Sequence, residues 1–128
     1  MNDLYNQESG VLELKKKDFK VNKKKKIYTV THKIFKNKQG LIIFYRPECI
    51  HCVNIVDTWS YISILFNNKF IMSAVNTQNY KQNLNIEDYL NIPFRYPTIR
   101  YVNSKGHLKK YNGKLDRNSI LSFICTKI

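Results

Sequence analysis

The spacing of apolar residues changes several times along this chain, and each change predicts an element. Leu41–Tyr45 are five consecutive apolar positions between Gly40 and Pro47. Such a run, without alternation, predicts a strand covered on both faces. From Cys52 the interval becomes three to four. Cys52, Val56, Trp59, Ile62, Ser63 and Phe66 then share one stripe of a helix of about four turns, ended by Asn67-Asn68. Phe70–Val75, apolar but for Ser73, is a second continuous run and a second buried strand. Residues 76–91 are polar and rich in Asn and Gln, with Leu84, Tyr89 and Leu90 expected to face inward from a short helix. Thr98–Val102 reads as a third strand, Ser104-Lys105-Gly106 as a tight turn, and Leu108–Tyr111 as the strand that pairs back. After Asn112-Gly113, Asp116 is placed to cap a last helix with Ile120, Leu121, Ile124 and Ile128 on one side.

Before Gly40 the pattern is weaker. Residues 1–10 read as a flexible tail and 11–128 as a single domain. Val11–Leu14 predicts a short first strand, Ile27–Thr31 another, and Thr31–Lys38 a helical turn. From Gly40 on, the order is strand, helix, strand, helix, strand, strand, helix. A helical crossover between two apolar strands implies a parallel pair, and the late hairpin adds an antiparallel one. The expected class is α/β: a mixed central sheet of four to five strands, flanked by helices on both faces.

Composition narrows this further. At 43% hydrophobic and 13% aromatic, the chain can build one core, and 128 residues leave no room for two. No apolar run approaches the roughly 18 residues that would span a bilayer. The start, Met1 to Glu8, has neither the basic residues nor the apolar centre of a secretory signal, and the final CTKI is no retrieval signal. A cytoplasmic location is expected on these grounds. The net charge is +13, and Lys15, Lys16, Lys17, Lys20 and Lys23–Lys26 crowd into one segment. That patch attracts polyanions, acidic proteins or anionic surfaces. It lacks the aromatic interleaving and arginine forks of nucleic-acid sites, which argues against nucleic acid as the partner.

The candidate chemistry lies in Cys49-Ile50-His51-Cys52. Cys-x-x-Cys is half of a zinc site, a redox pair, or two unrelated thiols. With Cys125 the chain holds 3 cysteines, too few for a disulfide scaffold. No second Cys-x-x-Cys or His-x-x-x-His exists to complete a metal site, and His32, His51 and His107 are scattered. No metal and no cofactor are expected. The pair's position favours the redox reading. A thiolate at a helix N-terminus meets unpaired backbone N–H groups and the positive end of the helix dipole. Cys49 would be exposed there as nucleophile, with Cys52 one turn on to resolve a mixed disulfide. Cys125 is expected to be a small buried thiol on the last helix.

At this point the chain resembles a family. FYRPECIHC, residues 44–52, is similar to the FYAPWCGHC of protein disulfide isomerase domains with the thioredoxin fold. RYPTIRYV, residues 95–102, resembles that family's GYPTIKFF, and YNGKLDRNSILSFI resembles its last strand and helix. The likeness runs from about Gly40 to the end, and more loosely from Val11. It implies the thioredoxin fold, a cis peptide bond at Tyr96-Pro97 beside the cysteines, and substrate backbone pairing at Tyr96, with Glu48 and Ile50 lining the contact. It also implies thiol–disulfide oxidoreductase activity. The partners are then protein thiols or disulfides and a reductase or oxidase, met by a monomer. A Lys- and Asn-rich chain of this activity without a signal suits a large DNA virus that assembles oxidised proteins in the cytoplasm.

The departures are as informative. The family's buried carboxylate, six positions before the first cysteine, is Ile43 here, which removes a proton acceptor for Cys52. Its Trp before that cysteine is Glu48, whose charge opposes a neighbouring thiolate, with Arg46 near enough to offset it. Val53 stands where a basic residue often follows, and Asp57 where a proline kinks the helix. His51 stabilises a Cys49 thiolate and so favours a more oxidising couple than a Cys-Gly-Pro-Cys pair. The alternative is a binding module of the same fold with weak redox activity, docking a partner through its basic surface.

Overall fold

The computed structural model describes residues 2–128. Its centre is a five-stranded sheet in the order β1-β5-β4-β6-β7. These strands are β1 (Leu12–Glu13), β4 (Gly40–Tyr45), β5 (Ile71–Asn76), β6 (Thr98–Val102) and β7 (Leu108–Lys110). Strands β1, β5 and β4 run parallel, while β6 and β7 are antiparallel to their neighbours. The mixed sheet expected from the sequence is present, with all residues of β4 and β5 buried.

Covered faces explain those continuous runs, because each side of the sheet packs its own layer. On one side Leu41, Ile43 and Tyr45 meet Cys52, Trp59, Ile62, Ile120 and Ile124. On the other, Ile42 and Phe44 meet Phe19, Phe35, Ile86 and Leu90. Each fully covered Leu, Ile or Phe contributes about 1.5–3 kcal/mol. Gly40 opens β4 because the space for a side chain is taken: a Cβ there would lie 2.2 Å from the Ile71 carbonyl oxygen.

The helices follow the stripes with one interruption. The expected continuous helix is split into α1 (Ile50–Asn54) and α2 (Val56–Phe66). At the break Ile55 has φ −92° and ψ −5°, and no proline is involved. Trp59, Ile62 and Ser63 are buried on α2, and Asn67 ends it in the left-handed region at φ 42°. Residues 76–91 form two short helices, α3 (Tyr80–Asn83) and α4 (Ile86–Leu90). Leu84, expected to face inward, is exposed; Ile86 takes the interior place with Leu90. In α5 (Arg117–Cys125), the Asp116 side chain accepts from Ser119 N, the expected cap.

Three further expectations are corrected. Cys125 is exposed, since α5 turns Ile120 and Ile124 inward and carries residue 125 off that stripe. The lysine-rich segment forms an antiparallel hairpin, β2 (Phe19–Asn22) with β3 (Ile27–Val30), of which β2 was not expected. Only Phe19 of β2 is buried, too little alternation to read from sequence. The described residues of the expected flexible tail pack against the domain; Met1 lies outside them. Tyr5 is buried, the Leu4 amide donates to the Tyr45 hydroxyl at 2.9 Å, and Asn76 Nδ2 donates to Asp3 Oδ1 at 3.0 Å.

Candidate active site

Strand β4 ends at Tyr45, and the turn that follows closes when the Cys49 amide donates to the Arg46 carbonyl at 3.1 Å. Cys49 is then the N-cap of α1, in extended conformation, and its carbonyl accepts from Val53 N at 3.0 Å. One turn later Cys52 points into the core with 1% exposure, while Cys49 is half-buried. Both are free thiols. Burial, and then a hydrogen bond to Cys49, push the Cys52 thiol up to about 12. Cys52 therefore holds its proton at neutral pH, and Cys49 is the sulfur that an incoming group reaches first.

The chain brings a distant segment to this pair. The Cys49 thiol donates to the Tyr96 carbonyl at 3.6 Å, and the Tyr96-Pro97 peptide bond is cis. Pro97 is buried. Tyr96 is fixed from two sides: the Arg46 guanidinium lies 4.6 Å from its ring centroid, and its hydroxyl donates to Glu87 Oε2. Burial and that carboxylate push the Tyr96 hydroxyl up to about 12.

The remaining predicted site residues make no hydrogen bond to the Cys49 thiol among the described residues. Glu48 is exposed and accepts from Gln78 Nε2 at 2.5 Å; its charge is a minor contributor to the raised Cys52 thiol. Ile50 is 63% exposed. His51 is also exposed, lining a concavity of about 160 Å³ with Asn54, Thr58 and Leu115. Among the described residues it makes no hydrogen bond to Cys49. No group of three His, Cys, Asp or Glu side chains among the described residues is placed to hold a metal ion.

Ile43 is fully buried, so the position beneath the pair is apolar. A carboxylate enters the same face from elsewhere. Glu13 pairs with Ala74, which pairs with Ile43, so the three form one row across β1, β5 and β4. Adjacent strands lie about 4.8 Å apart, which puts the Glu13 and Ile43 backbones roughly 10 Å apart. Ala74 leaves the space between them low. The Tyr45 hydroxyl donates to Glu13 Oε2, and the Tyr5 amide donates to the same oxygen at 3.4 Å.

Burial raises the Glu13 carboxyl to about 7, Asp3 adds to this, and Tyr45 and Lys15 oppose it. The Tyr5 hydroxyl is raised by burial first, then by the charges of Glu13 and Cys52, so Tyr5 feels both groups. Among the described residues, the Tyr5 hydroxyl and Glu13 Oε1 are buried without a hydrogen-bond partner. Glu13 and Tyr5 were not expected at the site. The available signal was Val11-Leu12-Glu13-Leu14 as a strand covered on both faces, where alternation puts Glu13 on the side of Val11.

A family model described as Thioredoxin matches residues 11–126. The chain belongs to the thioredoxin family. No curated protein matches it. Among solved structures, ERdj5 (crystal form I) superposes with a TM-score of 0.72 at 20% identity, over 95% of this chain and 16% of that one. The germline-specific thioredoxin Deadhead of Drosophila melanogaster gives 0.59 at 13% identity, over 73% and 85%. The first two thioredoxin domains of Eps1p from Saccharomyces cerevisiae give 0.56 at 24% identity, over 70% and 34%. These likenesses concern the thioredoxin fold. The chain spans 16% of the ERdj5 structure, so what the larger protein does is not carried over.

Proposed function

We propose that this thioredoxin-family domain is a thiol–disulfide oxidoreductase acting on protein thiols and disulfides through Cys49 and Cys52. One observation carries the reading: the half-buried Cys49, at the N-cap of α1 and hydrogen-bonded to the carbonyl before the cis Pro97, lies one turn from a buried Cys52 that keeps its proton. Attack by the Cys49 thiolate on a partner disulfide breaks that S–S bond, forms a mixed disulfide and releases one partner thiolate. Cys52 then loses its proton and attacks Cys49. The Cys49–Cys52 bond forms, the second partner sulfur leaves, and two electrons have passed to the partner. Run backwards, the same steps oxidise a dithiol. A reductase or oxidase restores the pair and sets the direction.

Other residues take supporting roles in this reading. The Tyr96 backbone, beside Pro97, pairs with an extended substrate segment. Ile50 and Glu48 contact it, and His51 favours the Cys49 thiolate. Glu13, in the same row of the sheet as Ile43, accepts the Cys52 proton in place of a carboxylate at Ile43.

A second reading is a binding module with weak redox activity. The Lys23–Lys26 turn favours it, because all four lysines are exposed. Insulin reduction together with a redox titration of the pair separates the two. Turnover that is lost in Cys49→Ser supports the enzyme. A pair that cannot cycle, with partner binding intact in Cys49→Ser, supports the module. The titration also tests His51: a potential as low as about −270 mV contradicts its oxidising role.

A further inference from the structure

Beside Pro97 the surface opens into a concavity of about 580 Å³, lined by Arg95, Pro97, Arg100, Lys110 and Leu115 among others. All of its charged lining residues are cations. Leu115 also lines the smaller concavity that contains His51, so one surface runs from the cysteine motif past Leu115 to the cations. Pro97 directly follows the carbonyl that accepts from Cys49. A segment held near Cys49 that leaves along this surface meets Leu115, 44% exposed, and then the three charges.

Arg100 is the informative member. Its side chain is partly buried, and burial lowers its pKa from the usual value. Its one hydrogen bond among the described residues is to the Ile99 carbonyl at 3.4 Å, at the long end of the range. The ion pair between described side chains lies elsewhere, between Lys15 and Asp3. A partly buried guanidinium without an anion is in an unfavourable setting, and a carboxylate relieves it through two parallel hydrogen bonds. Arg95 and Lys110, exposed at the rim, draw the same charge in from solvent.

We propose that this groove selects protein substrates that carry Asp or Glu within a few residues of extended chain from their reacting cysteine. The proposal names the substrate class of the exchange reaction above and rests on that reading.

The test uses three peptides with one cysteine and identical sequence, except for two flanking Glu, Gln or Lys residues. Affinity is read by fluorescence anisotropy on the Cys49→Ser/Cys52→Ser chain, so it does not depend on exchange. Turnover of the matching peptide disulfides is read on the unmodified chain. The Glu peptide is expected to bind at least about tenfold more tightly than the Lys peptide, and the preference to shrink at high salt. In Arg100→Gln/Lys110→Gln it is expected to fall below about threefold, and Arg95→Gln/Lys110→Gln, at exposed positions, gives the same trend should the first variant unfold. Replacing Lys23–Lys26, which do not line the groove, by Gln removes more charge and leaves the preference unchanged. Equal binding of the three peptides overturns the proposal, as does a preference lost equally in the Lys23–Lys26 variant. Peptides bound with the Glu preference but never turned over support the groove and count against the exchange reading alone.

Discussion

The junction of β4 and α1 and the edge at β1 both supply chemistry to one face of the sheet, but they are assembled differently. At the junction, Cys49 and Cys52 come together within one helical turn, so their relation is local and the spacing alone states it. At the edge, Asp3, Tyr5, Glu13, Tyr45 and Asn76 meet only after β1 pairs with β5 and the first residues fold over them. The cysteine pair is thus encoded by a motif, while the carboxylate proposed to take its proton is placed by sheet register. A substitution such as Ile43 at the usual carboxylate position need not remove the function when the same row of the sheet offers another entry point.

The largest effect separates the two regions outright. Cys49→Ser is expected to reduce insulin turnover by at least about a thousandfold, since no other group replaces the nucleophile. Glu13→Gln is expected to lower turnover at pH 7 by roughly tenfold, below the range for a directly positioned base. It should also remove a titration near pH 7 from the rate profile. A profile that keeps that titration in Glu13→Gln would leave the edge region with a structural role only.

Stability against pH sharpens the contrast. Folding raises the Glu13 carboxyl from 4.5 to about 7, with Tyr5, Tyr45, Asp3 and Lys15 as its charged and titratable neighbours. Its contribution is fully present below the unfolded value and is lost as pH rises through about 7. Urea denaturation should therefore show stability falling between pH 5 and pH 8, by on the order of 3 kcal/mol, and Glu13→Gln should flatten that slope. Asp116 acts oppositely at lower pH: its cap to Ser119 holds its carboxyl below the usual range, so that support is lost on acidification.

The smallest of these effects is expected from Tyr45→Phe. It removes the hydroxyl that donates to Glu13 and accepts from the Leu4 amide. A loss of about 1–2 kcal/mol is expected in denaturation, with turnover falling less than in Glu13→Gln. A larger loss of turnover than of stability would make Tyr45 part of the proton path.

The same division governs what was legible in the sequence. The strand Leu41–Tyr45, the stripe from Cys52 to Phe66, the Asp116 cap and the meeting of the cysteines with Tyr96-Pro97 all follow from local pattern or from a motif. β2 was not legible, because Lys20 and Asn22 interrupt it and only Phe19 is buried. Ile55 gave no sign of breaking the helix. Cys125 was misjudged because a helix position one step off an apolar stripe looks buried until the packing partner is known. Tyr5 and Glu13 needed the register of β1, which two residues of strand cannot announce.

The central claim is that Cys49 attacks and Cys52 resolves. Cys52→Ala, incubated with a disulfide-bearing protein and mapped by mass spectrometry, tests it most directly. The account predicts a mixed disulfide on Cys49 that reductant releases and that is absent from Cys49→Ser/Cys52→Ala. An adduct carried instead by the exposed Cys125, or none at all, would contradict it.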